Sequence, residues 1–189
     1  GVKAANNDSA FSLGVAYSNI DNIYYDIELA IKYLEIAYEL NHKDAAALLG
    51  VFYNWGSKLG YPGLKVNIKK AEYWYLNSAT DYDDAISQSN LANIYSQPNE
   101  WPEIQDEKKS FYWAQRSADQ GNLLGMSILA NHYEWGRGGA IQNGERAINI
   151  YKDIINKGDL SYSITALRDI GHIYANGWTE INRDFKEAI

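Results

Sequence analysis

The sequence predicts an all-α protein, an α-solenoid of antiparallel helix pairs with about four and a half repeats of 36–42 residues. Three observations carry that prediction. One helix-like phrase is written five times: DIELAIKYLEIAYE from Asp26, NIKKAEYWYLNSAT from Asn67, DEKKSFYWAQRSAD from Asp106, NGERAINIYKDIIN from Asn143 and a truncated DFKEAI from Asp184. A second phrase precedes each copy: LGVAY at 13–17, LGVFY at 49–53, LANIY at 91–95, LANHY at 129–133 and IGHIY at 170–174. The two phrases keep step. The small residues Ala30, Ala71, Ser110, Ala147 and Ala188 are 41, 39, 37 and 41 positions apart, and the tyrosines closing the other phrase are 36, 42, 38 and 41 apart. Self-similarity at such a period is the signature of stacked supersecondary units, here one helix pair each.

The units run roughly over 8–43, 44–82, 83–121, 122–159 and 160–189. In each, the first helix is numbered from an aliphatic anchor, Leu13, Leu49, Leu91, Leu129 or Ile170, taken as position 0. Positions −3, 0, +1 and +4 then form a helical core stripe. Position +1 is small every time: Gly14, Gly50, Ala92, Ala130 and Gly171. Glycine inside a helix costs about 1 kcal/mol relative to alanine, so its recurrence asks for a close helix-to-helix approach. The connection that follows varies freely, from NIDNIYY through GSKLGYPGLKV and QPNEWPEIQ to GRGGAIQ, as stacked repeats allow in one loop. The second helix opens at Asp26, Asn67, Asp106, Asn143 or Asp184, four residues before the small residue, where a side-chain oxygen caps the first free N–H groups. Glu28, Glu107 and Glu145 follow in the first turn and suit the positive end of the helix dipole. Its buried stripe reads Ala30, Tyr33, Leu34, Ala37 or Ala71, Trp74, Tyr75, Ala79.

Composition narrows the function. With 189 residues, 46% hydrophobic and 22% charged, the chain can bury a core. A net charge of −7 argues against a nucleic-acid partner, which is met by a basic face. There is no cysteine, hence no disulfide, thiolate metal site or cysteine nucleophile; cytoplasm and periplasm are both compatible. The longest apolar run, 45–56, is too short for membrane insertion, and the start lacks a signal-peptide profile. His42, His132 and His172 lack metal-ligand spacing. HYE at 132–134 has no P-C-x-x-C to complete a deaminase site, and GRGG at 136–139 lacks the strand and Lys-Ser/Thr helix of a phosphate loop. No G-x-S-x-G occurs. No catalytic residue, cofactor or metal is therefore expected.

The order A…LG..Y…G……D/N…A..W/Y…AA resembles the Sel-one-like repeat, a relative of the tetratricopeptide repeat. It is clearest at Ala46, Leu49, Gly50, Tyr53, Gly56, Asn67, Ala71, Trp74 and Ser78-Ala79. The third unit departs with Ala92 for glycine and a proline-containing connection, the fourth with Ile154-Ile155 for the small pair. The resemblance implies right-handed superhelices of helix pairs that scaffold other proteins, often in bacterial signalling, envelope and secretion systems, without catalysis. KAANNDSA at 3–10 and DFKEAI at the end both read as pieces of neighbouring units, so the chain is expected to belong to a longer array.

Positions −2, +2 and +5 of the first helix point away from the core stripe. In stacked helix pairs the first helices line the concave side, so these positions form the candidate binding surface. The stripe is apolar early, with Phe11, Val15, Ala47 and Val51, and polar late. Its candidate partner-binding residues are Asn54, Ser89, Asn93, Asn131, Glu134, Arg168 and His172, with Arg168 as anchor because arginine is enriched at interface hot spots. The linker edge around Trp101 is the second candidate surface. The function expected is a non-catalytic scaffold or adaptor. The alternatives are an immunity or inhibitor protein that occludes a toxin or enzyme, and an enzyme, which a cluster of perturbed acids in one pocket would betray.

Overall fold

The computed structural model describes residues 6–177. The order of elements is α1 (Asn7–Ser18), α2 (Ile27–Glu39), α3 (Ala45–Trp55), a 3-10 turn (Gly56–Leu59), α4 (Ile68–Asp81), α5 (Ala85–Tyr95), α6 (Glu107–Asp119), α7 (Leu123–Trp135), α8 (Gly144–Asn156) and α9 (Leu160–Asn176). Among the described residues there is no strand. The fold is the expected all-α one, with helices packed in adjacent pairs.

Packing divides the chain into two compact units, Gly1–Ser87 and Gln88–Ile189. In the first, α1 pairs with α2 and α3 with α4, and α2 packs on α3. In the second, α6, α7, α8 and α9 each pack on the next.

Four of the five expected caps are in place. The side chains of Asp26, Asn67, Asp106 and Asn143 accept from first-turn N–H groups of α2, α4, α6 and α8; Asp184 lies outside the described residues. The same four residues carry a second bond. Their backbone N–H groups donate to the carbonyls of Tyr17, Tyr53, Tyr95 and Tyr133, at 3.0, 2.8, 3.0 and 2.8 Å. Those tyrosines end the first helices, where carbonyls lack intrahelical partners. One residue thus caps the start of the second helix with its side chain and the end of the first with its backbone, which is why the two phrases keep step whatever the loop between them. Asp106→Ala removes only the side-chain half of this joint and is expected to cost about 1 kcal/mol, read as a shift in denaturation midpoint.

The core is the small-residue seam. Ala30, Leu34 and Ala37 of α2, and Ala71, Tyr75 and Ala79 of α4, are fully buried against the first helices. A side chain at Gly14 would place its Cβ 2.6 Å from Leu34 Cγ, and one at Gly50 would run into the ring of Tyr75. Leu13 departs from its expected place in the core and is 40% exposed. The reason is local: α1 packs on α2, whereas α3 packs on both α2 and α4, so position 0 has one wall fewer in α1. Leu167 is also exposed, on the last described helix.

Candidate functional site

A cleft of about 310 Å³ opens in the second unit. Three first helices supply its walls: Asn93 and Ser96 from α5, Leu124, Ser127, Ile128, Asn131 and His132 from α7, and Thr165, Arg168 and Asp169 from α9. Glu107 at the start of α6 and Arg137 from the α7–α8 connection complete it. Leu124, Ser127, Ile128 and Asn131 recur at the three-to-four spacing that keeps side chains on one helical face. Arg137 comes close because Gly138 lets the connection lie on α6. Gly138 has φ +66°, and a Cβ there would collide with the carbonyl oxygen of Glu107 and sit 2.8 Å from Phe111 Cβ. GRGG is therefore a linker whose glycines serve packing.

Of the seven candidate residues, Asn93, Asn131 and Arg168 line this cleft. Arg168 is 72% exposed, and its guanidinium is held by its neighbour Asp169 at 2.7 Å, which raises its pKa. Asn93 accepts from Gln97 at 2.8 Å. The other four do not line it. Asn54 is in the first unit, and Ser89 is buried on α5. His172 is partly exposed but turned toward Glu134, its Nδ1 2.8 Å from Oε1.

The expectation that position +5 points away from the core fails at Asn54 and Glu134, which are 5% and 2% exposed. The cause is tyrosine. Tyr75 in α4 and Tyr151 in α8 occupy the place that Leu34 and Ala114 take in other repeats, and each brings a hydroxyl into the core that needs a partner. Asn54 Nδ2 reaches the Tyr75 hydroxyl at 3.5 Å, and the Tyr151 hydroxyl donates to Glu134 Oε2 at 3.2 Å. Where the second helix carries Leu34 or Ala114, position +5 is Ser18 or Ser96, bonded back to its own helix at Val15 and Asn93. Burial raises the pKa of Glu134 against the lowering hydrogen bonds from His172 and Tyr151. The Tyr151 hydroxyl is raised by burial and by the carboxylates of Glu134 and Asp169.

The cleft also contains groups that the expected stripe omits. His132 is 2% exposed, and its Nε2 lies 2.9 Å from Ser110 Oγ, which itself donates to the Ala92 carbonyl at 2.8 Å. Its Nδ1 has no hydrogen bond, with Glu107 Oε2 3.8 Å away. Burial holds the imidazole below the usual histidine range; an adjoining backbone group of Arg137 works the other way, and the Arg137 charge adds to the lowering. The signal for this pair was present in the sequence. His132 is the one polar residue at position +3, where the other first helices have Ala16, Phe52, Ile94 and Ile173, and Ser110 is the one serine where the others have alanine. The two exceptions bond each other. Among the described residues no three His, Cys, Asp or Glu side chains gather as metal ligands, and no described helix is long and apolar enough to cross a membrane.

Helix pairs joined through a shared cap, with a small-residue seam and a side cleft between first helices, define a helical-repeat protein. The Sel1 repeat family matches over residues 7–42, 43–81, 85–122, 124–159 and 164–189, and the chain belongs to that family. No curated protein sequence matches the chain. Solved structures share its fold. A protective antigen of uropathogenic Escherichia coli strains, displaying an SLR fold, aligns with TM-score 0.76 and 23% identity over 96% of this chain and 36% of its own. A Sel1 repeat protein from Oxalobacter formigenes aligns with TM-score 0.69 and 24% identity over 96% of this chain and 67% of its own. The cysteine-rich protein B of Helicobacter pylori aligns at 0.51 and 17% over 76% of this chain and 97% of its own. The chain thus spans about a third of the Escherichia coli protein. Sel1 repeat proteins are generally protein–protein interaction modules, and the fold is typically a non-catalytic scaffold.

Proposed function

We propose that this chain is a non-catalytic adaptor that binds a partner protein on the face formed by its first helices, with the cleft between α5, α7 and α9 as the centre of contact. One observation carries the reading: Asn93, Asn131 and Arg168, from three successive first helices, converge on a single cleft. Such a row of directional donors and acceptors adds little to folding where it faces outward, and it is what specific recognition uses. Arg168 holds its partner-seeking fork against Asp169, so a partner carboxylate would share the guanidinium with it. The buried acid Glu134, whose pKa burial raises, does not line the cleft. We further propose that the chain is part of a longer array.

The test starts from an affinity pull-down that supplies the partner. Asn131→Arg combined with Arg168→Glu is expected to weaken that partner about tenfold or more in calorimetry, equivalent to about 1.4 kcal/mol, with the helical spectrum unchanged. Lys32→Glu with Glu35→Lys on α2 is the matched control and should leave affinity as it was. Equal affinity for both double variants would remove the cleft and move the search to the linker edge around Trp101.

A further inference from the structure

Arg137 carries a charge that the fold leaves unanswered. Acidic residues outnumber lysine and arginine in this chain by 24 to 17, so a cation has no shortage of carboxylates to meet. Arg168, in the same cleft, is held by Asp169 at 2.7 Å. Arg137 is exposed, and among the described residues its side chain makes no ion pair and no hydrogen bond. The second carboxylate of the cleft, Glu107, lies 3.8 Å from His132 and outside ion-pair reach of Arg137. Of the two arginines lining the cleft, Arg137 is therefore the one without a close counter-charge.

Its presentation is fixed from both ends. The Arg137 N–H donates to the His132 carbonyl at 3.1 Å, and its own carbonyl accepts from the Ala140 N–H at 3.0 Å. Gly136 and Gly138 flank it at φ +65° and +66°, the left-handed region that favours glycine, so the turn that sets the direction of the side chain is built into the sequence. The side chain continues the restraint, since the guanidinium lies over the Trp135 ring, 5.5 Å from its centroid. Such a contact with a ring leaves N–H groups around the edge of the guanidinium for an acceptor. An arginine held in this way has less freedom to lose on binding than a loose one.

The same cleft has an apolar side, made by Leu124 and Ile128, two half-buried residues one turn apart on α7. We propose that Arg137 takes the side-chain carboxylate of a single glutamate or aspartate of the partner protein, gripped by two N–H groups, while an aliphatic neighbour of that residue packs on Leu124 and Ile128. The inference rests on the reading that the cleft is a protein-binding site, and it names the chemistry that the site selects. Glu107 in the cleft and the net charge of −7 oppose a run of acids, so the fitting segment carries one negative charge among apolar residues. A volume of about 310 Å³ is at the small end for ligand cavities and suits a few residues of a partner rather than a whole folded face.

The test needs no identified partner. The full chain, labelled with ¹⁵N, is titrated with the capped tripeptide acetyl-Leu-Glu-Leu-amide, and ¹H–¹⁵N spectra follow the arginine Nε–H groups and the backbone amides of the cleft. Arg137→Lys identifies the Arg137 resonance, which the glutamate peptide is expected to move saturably. Acetyl-Leu-Gln-Leu-amide should bind about tenfold more weakly, and acetyl-Gly-Glu-Gly-amide should also bind more weakly than the leucine peptide. Arg137→Gln should weaken the glutamate peptide about tenfold or more with the helical spectrum unchanged, and Arg137→Lys, which keeps the charge without the fork, should recover part of the loss. Arg146→Gln makes the same change in net charge outside the cleft and should bind as the parent does. The proposal falls if no saturable shift of Arg137 occurs, if the glutamine or glycine peptide matches the first, or if Arg137→Gln binds as the parent does. It falls equally if Arg146→Gln loses as much as Arg137→Gln, since net charge and not a site would then set the affinity. Failure here leaves the adaptor reading standing, because that reading is decided by partner affinity in the Asn131 and Arg168 variants.

Discussion

Gly50→Leu is expected to lower stability by about 3 kcal/mol, the upper end of ordinary overpacking penalties. The side chain has nowhere to go: even the first carbon added at Gly50 would enter the ring of Tyr75, which is fully buried. A tyrosine ring moves as a rigid plate on two torsions, so it cannot yield by bending its tip. The intrinsic preference of helices for leucine over glycine, roughly 0.8 kcal/mol, works in the opposite direction and is too small to compensate. Gly14 provides the graded comparison. Its neighbour is Leu34, an aliphatic side chain with a freer rotamer choice, and Gly14→Ala should therefore cost less than Gly50→Ala. Urea denaturation of the full chain reads both, with Val51→Leu, one position along the same helix, as the size control. A Gly50→Leu protein as stable as its parent would mean that α3 and α4 do not meet at this glycine.

Most of this fold could be read in the sequence because repetition amplifies weak local signals. A single Asp or Asn before an apolar run is modest evidence for a helix start, but Asp26, Asn67, Asp106 and Asn143 at fixed distance from a small residue leave little else to conclude. What stayed hidden was the partner of each cap's backbone N–H, since a bond to a tyrosine carbonyl leaves no trace in residue type. The cleft was legible in part. Helical periodicity finds which residues share a face, and it placed Asn93, Asn131 and Arg168 together. Periodicity misses polar groups drawn inward by a hydroxyl in the facing helix, and so it put Asn54 and Glu134 on the outside. Comparing repeats with one another corrects this. Tyrosine at the fourth position after the small residue accompanies Asn or Glu at position +5, and Leu34 or Ala114 accompanies serine. Ser110 and His132 are the same kind of clue, two polar exceptions in otherwise apolar columns that turn out to touch. The side of the cleft made by Glu107 and Arg137 had no such mark, because it depends on how the connection folds over Gly138.

The two buried tyrosines should differ sharply in what their hydroxyls contribute. Tyr151→Phe is expected to cost about 2–3 kcal/mol near neutral pH, because it strips a hydrogen bond from a desolvated carboxylate, and bonds to charged groups are the stronger class. Tyr75→Phe should cost less than about 1 kcal/mol, since its partner is the neutral amide of Asn54 at a long 3.5 Å. The pH dependence separates this account from a mere difference in packing. Burial raises the folded pKa of Glu134 above the ordinary carboxyl value of 4.5, so the folded state holds that proton more tightly than the unfolded one. Stability from this group is therefore fully present below about 4.5 and is lost as pH rises through the folded value. The Tyr151 hydroxyl lowers the Glu134 pKa, so it favours the ionised carboxyl, and deleting it hurts most once Glu134 has lost its proton. The cost of Tyr151→Phe should shrink as pH falls through that same window, while the cost of Tyr75→Phe stays level. Comparing each variant with its parent at every pH cancels the titration of the exposed carboxylates that both share. Thermal denaturation across the acid range measures the two curves, and parallel curves for Tyr151→Phe and Tyr75→Phe would show that Glu134 is not ionised against the Tyr151 hydroxyl in the folded protein.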